Sequence, residues 1–156
     1  MREMKKITGL LMAMLLMLSA CGSVPLTGRK QVLLVSDQEV LSSSLTQYSD
    51  YMKSATKSSD KNESAMVTRV GKKIAAATEA YLKANGMESE IKNFQWEFNL
   101  VKDNQINAFC MPGGKIVVYE GLMSLVSSDD ELAVVVGHEV AHAVAKHRNE
   151  RMSQQL

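Results

Sequence analysis

Apolar residues recur at helical spacing in two stretches of the amino-terminal half of the chain. Ser36-Asp37-Gln38-Glu39 has the pattern of a capping box, in which the Ser36 side chain caps the first turn and Glu39 reaches back. A helix is therefore predicted from about residue 37 to about residue 57, and a second from about residue 64 to Asn85-Gly86, where glycine accepts the left-handed conformation past a helix end. The apolar stripes that support the two helices are Val40, Leu41, Leu45, Tyr48 and Met52, and Met66, Val70, Ile74, Ala77 and Tyr81.

The pattern then changes to a period of two, which is typical of strands. Apolar and polar residues alternate from Phe94 to Leu100, which predicts a half-buried strand. Ile106 to Met111 is predicted as a second strand, Pro112-Gly113-Gly114 as a tight turn, and Lys115 to Tyr119 as a third strand. We expect three consecutive antiparallel strands. Together the elements predict an α+β fold in which helices pack on a small antiparallel sheet.

The last predicted helix is unusually apolar. Ser128-Asp129-Asp130-Glu131 has the pattern of a second capping box, and the residues from Leu132 to Ala145 are apolar apart from His138, Glu139 and His142. A helix that is apolar on all sides is expected to be buried. Three polar residues inside such a helix require a function, because unpaired buried polar groups are costly.

The spacing of these three residues matches a metal site. Four residues of helix turn through about 400°, so the rings of His138 and His142 lie about 40° apart and one turn from each other. Both can reach one tetrahedral zinc ion. Glu139 lies beside them, and it can act as general base on a water whose pKa zinc has lowered. His-Glu-x-x-His on a helix is the pattern of zinc metalloproteases, so we expect one Zn²⁺ per chain.

A catalytic zinc needs a third protein ligand. On a straight helix His147 points about 140° away from His142, which favours a surface or outer-shell histidine. The metzincin spacing would need Gly and His where Ala145 and Arg148 stand, and Glu150 is about 12 Å along the axis from His142. Because nothing after Gly137 predicts a bend, we expect the third ligand beyond Leu156.

The chain starts with a targeting signal. Residues 1–6 are basic, residues 7–18 are almost wholly apolar, and this apolar run is shorter than the roughly 20 residues of a membrane-spanning helix. Leu18-Ser19-Ala20-Cys21 resembles the lipobox of bacterial lipoproteins, which implies cleavage before Cys21 and acylation of that residue. Gly22 stands where Asp would favour the inner membrane, so the resemblance favours the outer membrane. We expect a signal peptide at 1–20, a lipidated tether at 21–35 and the domain at 36–156.

Composition excludes some classes of protein. Hydrophobic residues make up 46% and charged residues 22%, which is ordinary for a folded domain and argues against disorder. Formal net charge is +1 and becomes −1 without residues 1–20, so neither nucleic acid nor an anionic lipid surface is an expected partner. With Cys21 lipidated, Cys110 is left alone, and its apolar strand favours a buried thiol without a disulfide.

Two segments taken together resemble a known family. They are HEVAHAVAKHRNERMS at 138–153 and NAFCMPGGKI at 107–116. Both are similar to the gluzincin metallopeptidases that include the Ste-type CAAX prenyl proteases, HtpX and the mitochondrial Oma protease. VPLTGRKQ at 24–31 resembles the exported bacterial lipoprotein branch.

The resemblance implies a zincin-like fold and assigns roles to residues. It implies that zinc is held by His138, His142 and a glutamate of a later ExxxD-type helix, and that Glu139 is the general base. The strand from Ile106 would bind substrate as an added strand, with Asn107, Ala108 and Phe109 as substrate-binding residues.

Three hypotheses follow. The first is an endopeptidase anchored in the outer membrane that acts on unfolded or misfolded envelope proteins. The second is a non-catalytic binding lipoprotein on the same scaffold. The third is an inactive fragment that lacks the third zinc ligand.

Overall fold

The computed structural model describes residues 21–23, 30–32 and 35–154 of the chain. The predicted signal peptide at 1–20 and the predicted third ligand beyond Leu156 lie outside these residues. Within the described part, no helix combines the length and the hydropathy needed to cross a bilayer. The amino-terminal segment contributes two three-residue strands, β1 (Cys21–Ser23) and β2 (Lys30–Val32), which pair antiparallel with each other. The predicted tether therefore contains a strand pair.

Two long helices follow. The first, α1 (Asp37–Ser54), starts with the predicted capping box: Glu39 donates its backbone N–H to Ser36 Oγ at 3.2 Å, and the Glu39 carboxylate accepts from the Ser36 N–H at 3.1 Å. The second, α2 (Lys61–Ala84), starts three residues before the predicted position. The reason is Asp60, whose side chain accepts from the backbone N–H groups of residues 62 and 63 and so caps the helix earlier. Gly86 has a φ of 72°, as its place after the helix end predicts.

The main sheet has three strands in the order β3-β5-β4. They are β3 (Glu97–Val101), β4 (Ala108–Met111) and β5 (Lys115–Tyr119). The predicted hairpin between β4 and β5 is confirmed, and its turn has positive φ at Gly113 and Gly114. The prediction of consecutive antiparallel strands is wrong for β3, which pairs with β5 in parallel. The chain crosses the sheet between β3 and β4, so β5 is central and all five of its residues are buried.

Helices cover both faces of this sheet, and the fold is α+β. On one face, α2 and α5 (Asp129–Val144) pack on residues that include Leu100, Ala108 and Val118. On the other face, Tyr48 of α1 packs on a cluster that includes Val117 and Tyr119. Short helices α3 (Glu88–Ile91) and α4 (Glu120–Met123) connect the layers, and α6 (His147–Gln154) follows α5.

The two outer strands of the sheet differ in what lies beside them. Outside β3, Ser58 donates its N–H to the carbonyl of Leu100 at 2.9 Å, and Lys102 donates to the carbonyl of Thr56 at 2.8 Å. The segment that precedes α2 therefore extends the sheet on that side. Among the described strands of this sheet, β4 is the edge strand on the other side, and α5 packs against it.

A partly buried polar network joins α1 to the sheet. Lys115 is 4% exposed, and its ammonium group donates to the Glu97 carboxylate at 2.7 Å and to the carbonyl of Gln95 at 2.6 Å. Tyr48 Oη donates to the other Glu97 oxygen at 2.8 Å and accepts from the amide of Asn99 at 2.7 Å. The Lys115 ammonium beside Glu97 holds the pKa of this carboxyl below its ordinary value. The network satisfies a lysine that would otherwise be an unpaired buried charge.

The contact between α2 and β3 gives a stability prediction. A Cβ added at Gly71 would lie 2.2 Å from Cδ1 of the Phe98 ring, so Gly71→Ala must displace the ring or the helix. We expect a loss of about 1–3 kcal/mol in the free energy of unfolding, measured by urea denaturation. The matched control is Gly137→Ala, where the nearest atom is Ile74 Cδ1 at 3.7 Å. This change should gain up to about 1 kcal/mol from helix propensity. Equal stability of the two variants would contradict the close packing of α2 on Phe98.

Candidate metal centre

The helix that carries the candidate ligands has a well-formed amino-terminal end. Ser128 caps it, since its Oγ accepts from the N–H of Glu131 at 3.2 Å. The second half of the predicted capping box is displaced by one residue. The Glu131 carboxylate accepts from the Ser127 N–H at 2.7 Å and from the Ser127 hydroxyl at 2.8 Å, and these bonds lower the pKa of Glu131. Arg69 of α2 binds both carboxylate oxygens of Asp129 at 2.6 and 2.7 Å, which fixes the start of α5 against α2.

The expectation that α5 is buried on all sides is wrong for the described part of the chain. Its buried residues form a single stripe at intervals of four, Leu132, Val136, Val140 and Val144. Val134 is 74% exposed, and His138 and His142 are exposed on the side opposite the stripe. The physical reason is that the sheet and α2 cover only one side of this helix. His138 and His142 are therefore accessible, as a catalytic site requires.

His138 and His142 converge as the sequence predicts. Their Nε2 atoms lie 2.9 Å apart, and their rings meet edge to face with centroids 4.4 Å apart. Two imidazole nitrogens bound to one tetrahedral zinc at about 2.0–2.1 Å would be separated by roughly 3.3 Å. A small rotation of either ring produces that separation. The donor set thus fits zinc as two of its ligands.

Glu139 lies on the flank of α5 that faces β4. It is half-buried and lines an open cleft together with Cys110 and Pro112 from the sheet and His142 from its own helix. Burial raises the pKa of the Cys110 thiol to about 12, and the negative charge of Glu139 adds to this shift. Cys110 has a free thiol and is partly buried, whereas the sequence favoured full burial.

The position of His147 differs from the prediction. Helix α5 ends at Val144, and Lys146 adopts a φ of 57°, so α6 starts in a new direction. His147 consequently turns back to His142, and their Nδ1 atoms are 2.5 Å apart. The straight-helix argument failed because lysine gives no sequence signal for a left-handed residue. His147 still does not join the metal pair, because it faces Nδ1 of His142 and not Nε2.

The predicted substrate-binding residues lie at the start of the edge strand. Asn107 is exposed, and its carbonyl accepts from the Tyr119 N–H at 3.1 Å. Ala108 is 8% exposed and faces the α5 side. Phe109 faces α1, where its ring packs edge to face on Tyr51 and Tyr119. Two of the three side chains are therefore used in packing, and β4 can offer a peptide its backbone.

No group of three or more His, Cys, Asp or Glu side chains converges as a metal site among residues 21–23, 30–32 and 35–154. The described residues therefore bring together two candidate ligands, His138 and His142. The cleft is also lined by Arg148 and Arg151, which were not predicted as site residues. Their only sequence signal is their place in the HEVAHAVAKHRNERMS segment.

Comparison with known proteins gives a family match. Residues 67–156 match the model of peptidase family M48, which includes β3 to β5 and the whole of α5 and α6. The matched region therefore contains both the histidine pair and the edge strand.

Similar curated proteins are metalloendopeptidases and proteases. Mitochondrial metalloendopeptidase OMA1 of Arabidopsis thaliana is 46% identical over 74 residues, which are 47% of this chain and 15% of that protein. Mitochondrial metalloendopeptidase OMA1 of Bos taurus is 29% identical over 132 residues, 83% of this chain and 24% of that protein. The beta-barrel assembly-enhancing protease of Yersinia pestis is 37% identical over 60 residues, 38% of this chain and 12% of that protein. The chain thus spans less than a quarter of the length of these relatives.

The environment of Cys110 predicts that its thiol reacts slowly with alkylating reagents. Because the folded protein keeps this group protonated, we expect alkylation of Cys110 by iodoacetamide at pH 8 to be at least about tenfold slower in the native protein than in urea. Peptide mass spectrometry over a time course measures the two rates at Cys110 directly. Equal rates in the native and unfolded states would show that the thiol is not desolvated beside Glu139.

Proposed function

This chain belongs to peptidase family M48, and we propose that the protein is a membrane-anchored, zinc-dependent endopeptidase. The observation that carries the proposal is the convergence of the two Nε2 atoms of His138 and His142, 2.9 Å apart, on the exposed side of a helix that packs against an edge strand. Glu139 completes the HExxH pattern in the same cleft. We propose one zinc ion per chain.

His138 and His142 would hold the zinc through their Nε2 atoms. Zinc, when bound, supplies a Lewis acid that polarises the scissile carbonyl and makes water acidic enough to lose a proton near neutral pH. A third protein ligand would leave one position open for chemistry. By resemblance to the gluzincins, we propose a glutamate for this ligand.

Glu139 would act as the general base. It is one residue from His138, so it lies beside the metal position and not in it. Its carboxylate takes a proton from the attacking water and passes the proton to the leaving amine as the peptide bond breaks.

The edge strand β4 would bind the substrate. An extended peptide can pair with the unpaired backbone groups of such a strand, which fixes the scissile bond relative to the metal. Residues 107–109 would contribute main-chain contacts, since the Ala108 and Phe109 side chains are packed in the two faces of the sheet. Recognition through the backbone requires an extended substrate. An unfolded or misfolded protein meets this requirement.

The cellular role is proposed from the amino-terminal sequence and from one relative. Residues 1–21 have the pattern of a lipoprotein signal that ends at Cys21, which supports a lipid anchor in a bacterial envelope, with the domain facing the periplasm. Gly22, in place of an Asp after Cys21, supports an anchor in the outer membrane. The relative in Yersinia pestis is named for enhancing β-barrel assembly. We therefore propose that the protein acts in quality control of envelope proteins.

Glu139→Gln tests the catalytic role. In the full-length protein we expect cleavage of an unfolded model substrate to fall by at least about a hundredfold, because the general base is lost, while zinc content stays at one per chain. Cleavage is measured by gel and zinc by atomic absorption. Glu88→Gln is the matched control, since Glu88 is an exposed residue of α3 outside the cleft. Unchanged cleavage by the Glu139 variant would reject the mechanism, and zinc binding without any cleavage by the wild-type protein would favour the non-catalytic lipoprotein.

Cys21→Ala tests the lipid anchor. The chain has two cysteines, so Cys110→Ala provides a matched control. In cells given radiolabelled palmitate, we expect the Cys21 variant to lose the label and to leave the membrane fraction, because acyl chains on this residue hold the protein at the bilayer. The Cys110 variant should keep the label and should remain in the membrane fraction. A labelled Cys21 variant would contradict the lipobox assignment.

A further inference from the structure

The turn between α5 and α6 places a third histidine, His147, beside one member of the candidate ligand pair, His142. On an uninterrupted helix, His147 would point about 140° away from His142. In this fold the left-handed Lys146 interrupts the helix, and the His142 and His147 rings lie tilted against each other with centroids 4.8 Å apart. Their closest atoms are the two Nδ1 nitrogens, at 2.5 Å.

The two nitrogens of His142 consequently have separate partners. Its Nε2 faces Nε2 of His138, and its Nδ1 faces Nδ1 of His147. If the Nε2 pair binds a metal, the neutral His142 ring must carry its proton on Nδ1. That N–H then donates to Nδ1 of His147, which in turn carries its own proton on Nε2. One set of tautomers thus satisfies every contact.

We propose that His147 is a positioning residue for the metal centre, which accepts the Nδ1–H of His142 and so fixes His142 as an Nε2 ligand. This inference rests on the proposed zinc function of His138 and His142. A ligating histidine is commonly held through its other ring nitrogen by a carboxylate, a carbonyl or water. Here a neutral imidazole takes that place.

The position of His147 depends on contacts far away in the sequence. Lys146 carries a side chain in a conformation that favours glycine, so the surrounding structure must hold it there. Its side chain is 17% exposed, and its ammonium group binds the carboxylates of Asp37 in α1 and Glu90 in α3. Asn149 donates to the other oxygen of Asp37 at 2.7 Å, which ties α6 to the same point. The start of α1 therefore helps to set the direction in which α6 leaves α5.

Replacement of His147 by alanine and by asparagine separates positioning from other roles. The Asn side-chain oxygen can lie near the place of Nδ1 and accept the same proton, whereas alanine cannot. In the full-length protein we expect His147→Ala to weaken zinc binding by about tenfold to a hundredfold, measured by competition with a chelator. His147→Asn should stay within about threefold of the wild type. Nitrogen-15 NMR of the zinc-loaded protein should show His142 protonated on Nδ1 in the wild type and the Asn variant.

Each alternative result is distinguishable. If His147→Ala binds zinc as tightly as the wild type, the positioning role is wrong while the zinc function stands. If both His147 variants lose zinc as completely as His142→Ala does, His147 is a direct ligand and the inference is also wrong. If the wild-type protein binds no zinc, the proposed function itself fails.

Lys146→Gly and Lys146→Ala test the turn. Both changes remove the contacts to Asp37 and Glu90, but only glycine adopts a φ near 57° without steric cost. We expect Lys146→Gly to bind zinc at least about threefold more tightly than Lys146→Ala in the same competition assay. Equal affinities of the two variants would overturn the dependence of His147 on the left-handed turn.

Discussion

Burial of one stripe of α5 determines where the chemistry of this domain can occur. Leu132, Val136, Val140 and Val144 recur at intervals of four and are almost completely removed from solvent against the sheet and α2. Because the stripe fixes the rotation of the helix, residues two positions away must point outward. His138 and His142 are these residues. Glu139 adjoins the stripe, so it lies on the flank beside β4, where an extended peptide would bind.

The second determinant is the end of that helix. Lys146 stops α5 in a left-handed conformation, and the contacts that hold it come from α1 and α3. The candidate site therefore depends on α1, which precedes the match to family M48 that starts at residue 67, and on α3, which lies inside the match. In the proposed positioning role, Asp37 would act on the candidate ligand pair through the backbone direction at Lys146 and not through contact with the histidines. The same contacts explain why His147 meets His142.

Local signals in the sequence predicted the helices and strands. Long-range contacts determined the order of the strands, the end of α5 and the exposed side of that helix, and these were not predicted. Ser36 and Glu39 formed the expected cap, and His138 and His142 converged, because both patterns depend only on helical geometry. The parallel pairing of β3 with β5 was missed, since alternation identifies strands but not their order in a sheet. The break at Lys146 was missed for a similar reason: carboxylates from two distant helices stabilise it. The exposure of Val134 was missed because composition shows that a helix is apolar but not how many of its sides are covered.

We propose that His138 and His142 bind one zinc ion through nitrogen, and zinc-edge X-ray absorption of the purified full-length protein tests this binding most directly. We expect at least two imidazole nitrogen atoms at about 2.0–2.1 Å from the metal and no sulfur neighbour. A sulfur atom at about 2.3 Å would place a cysteine thiolate such as Cys110 on the metal, and absence of zinc would remove the metal centre; either result would contradict the proposal.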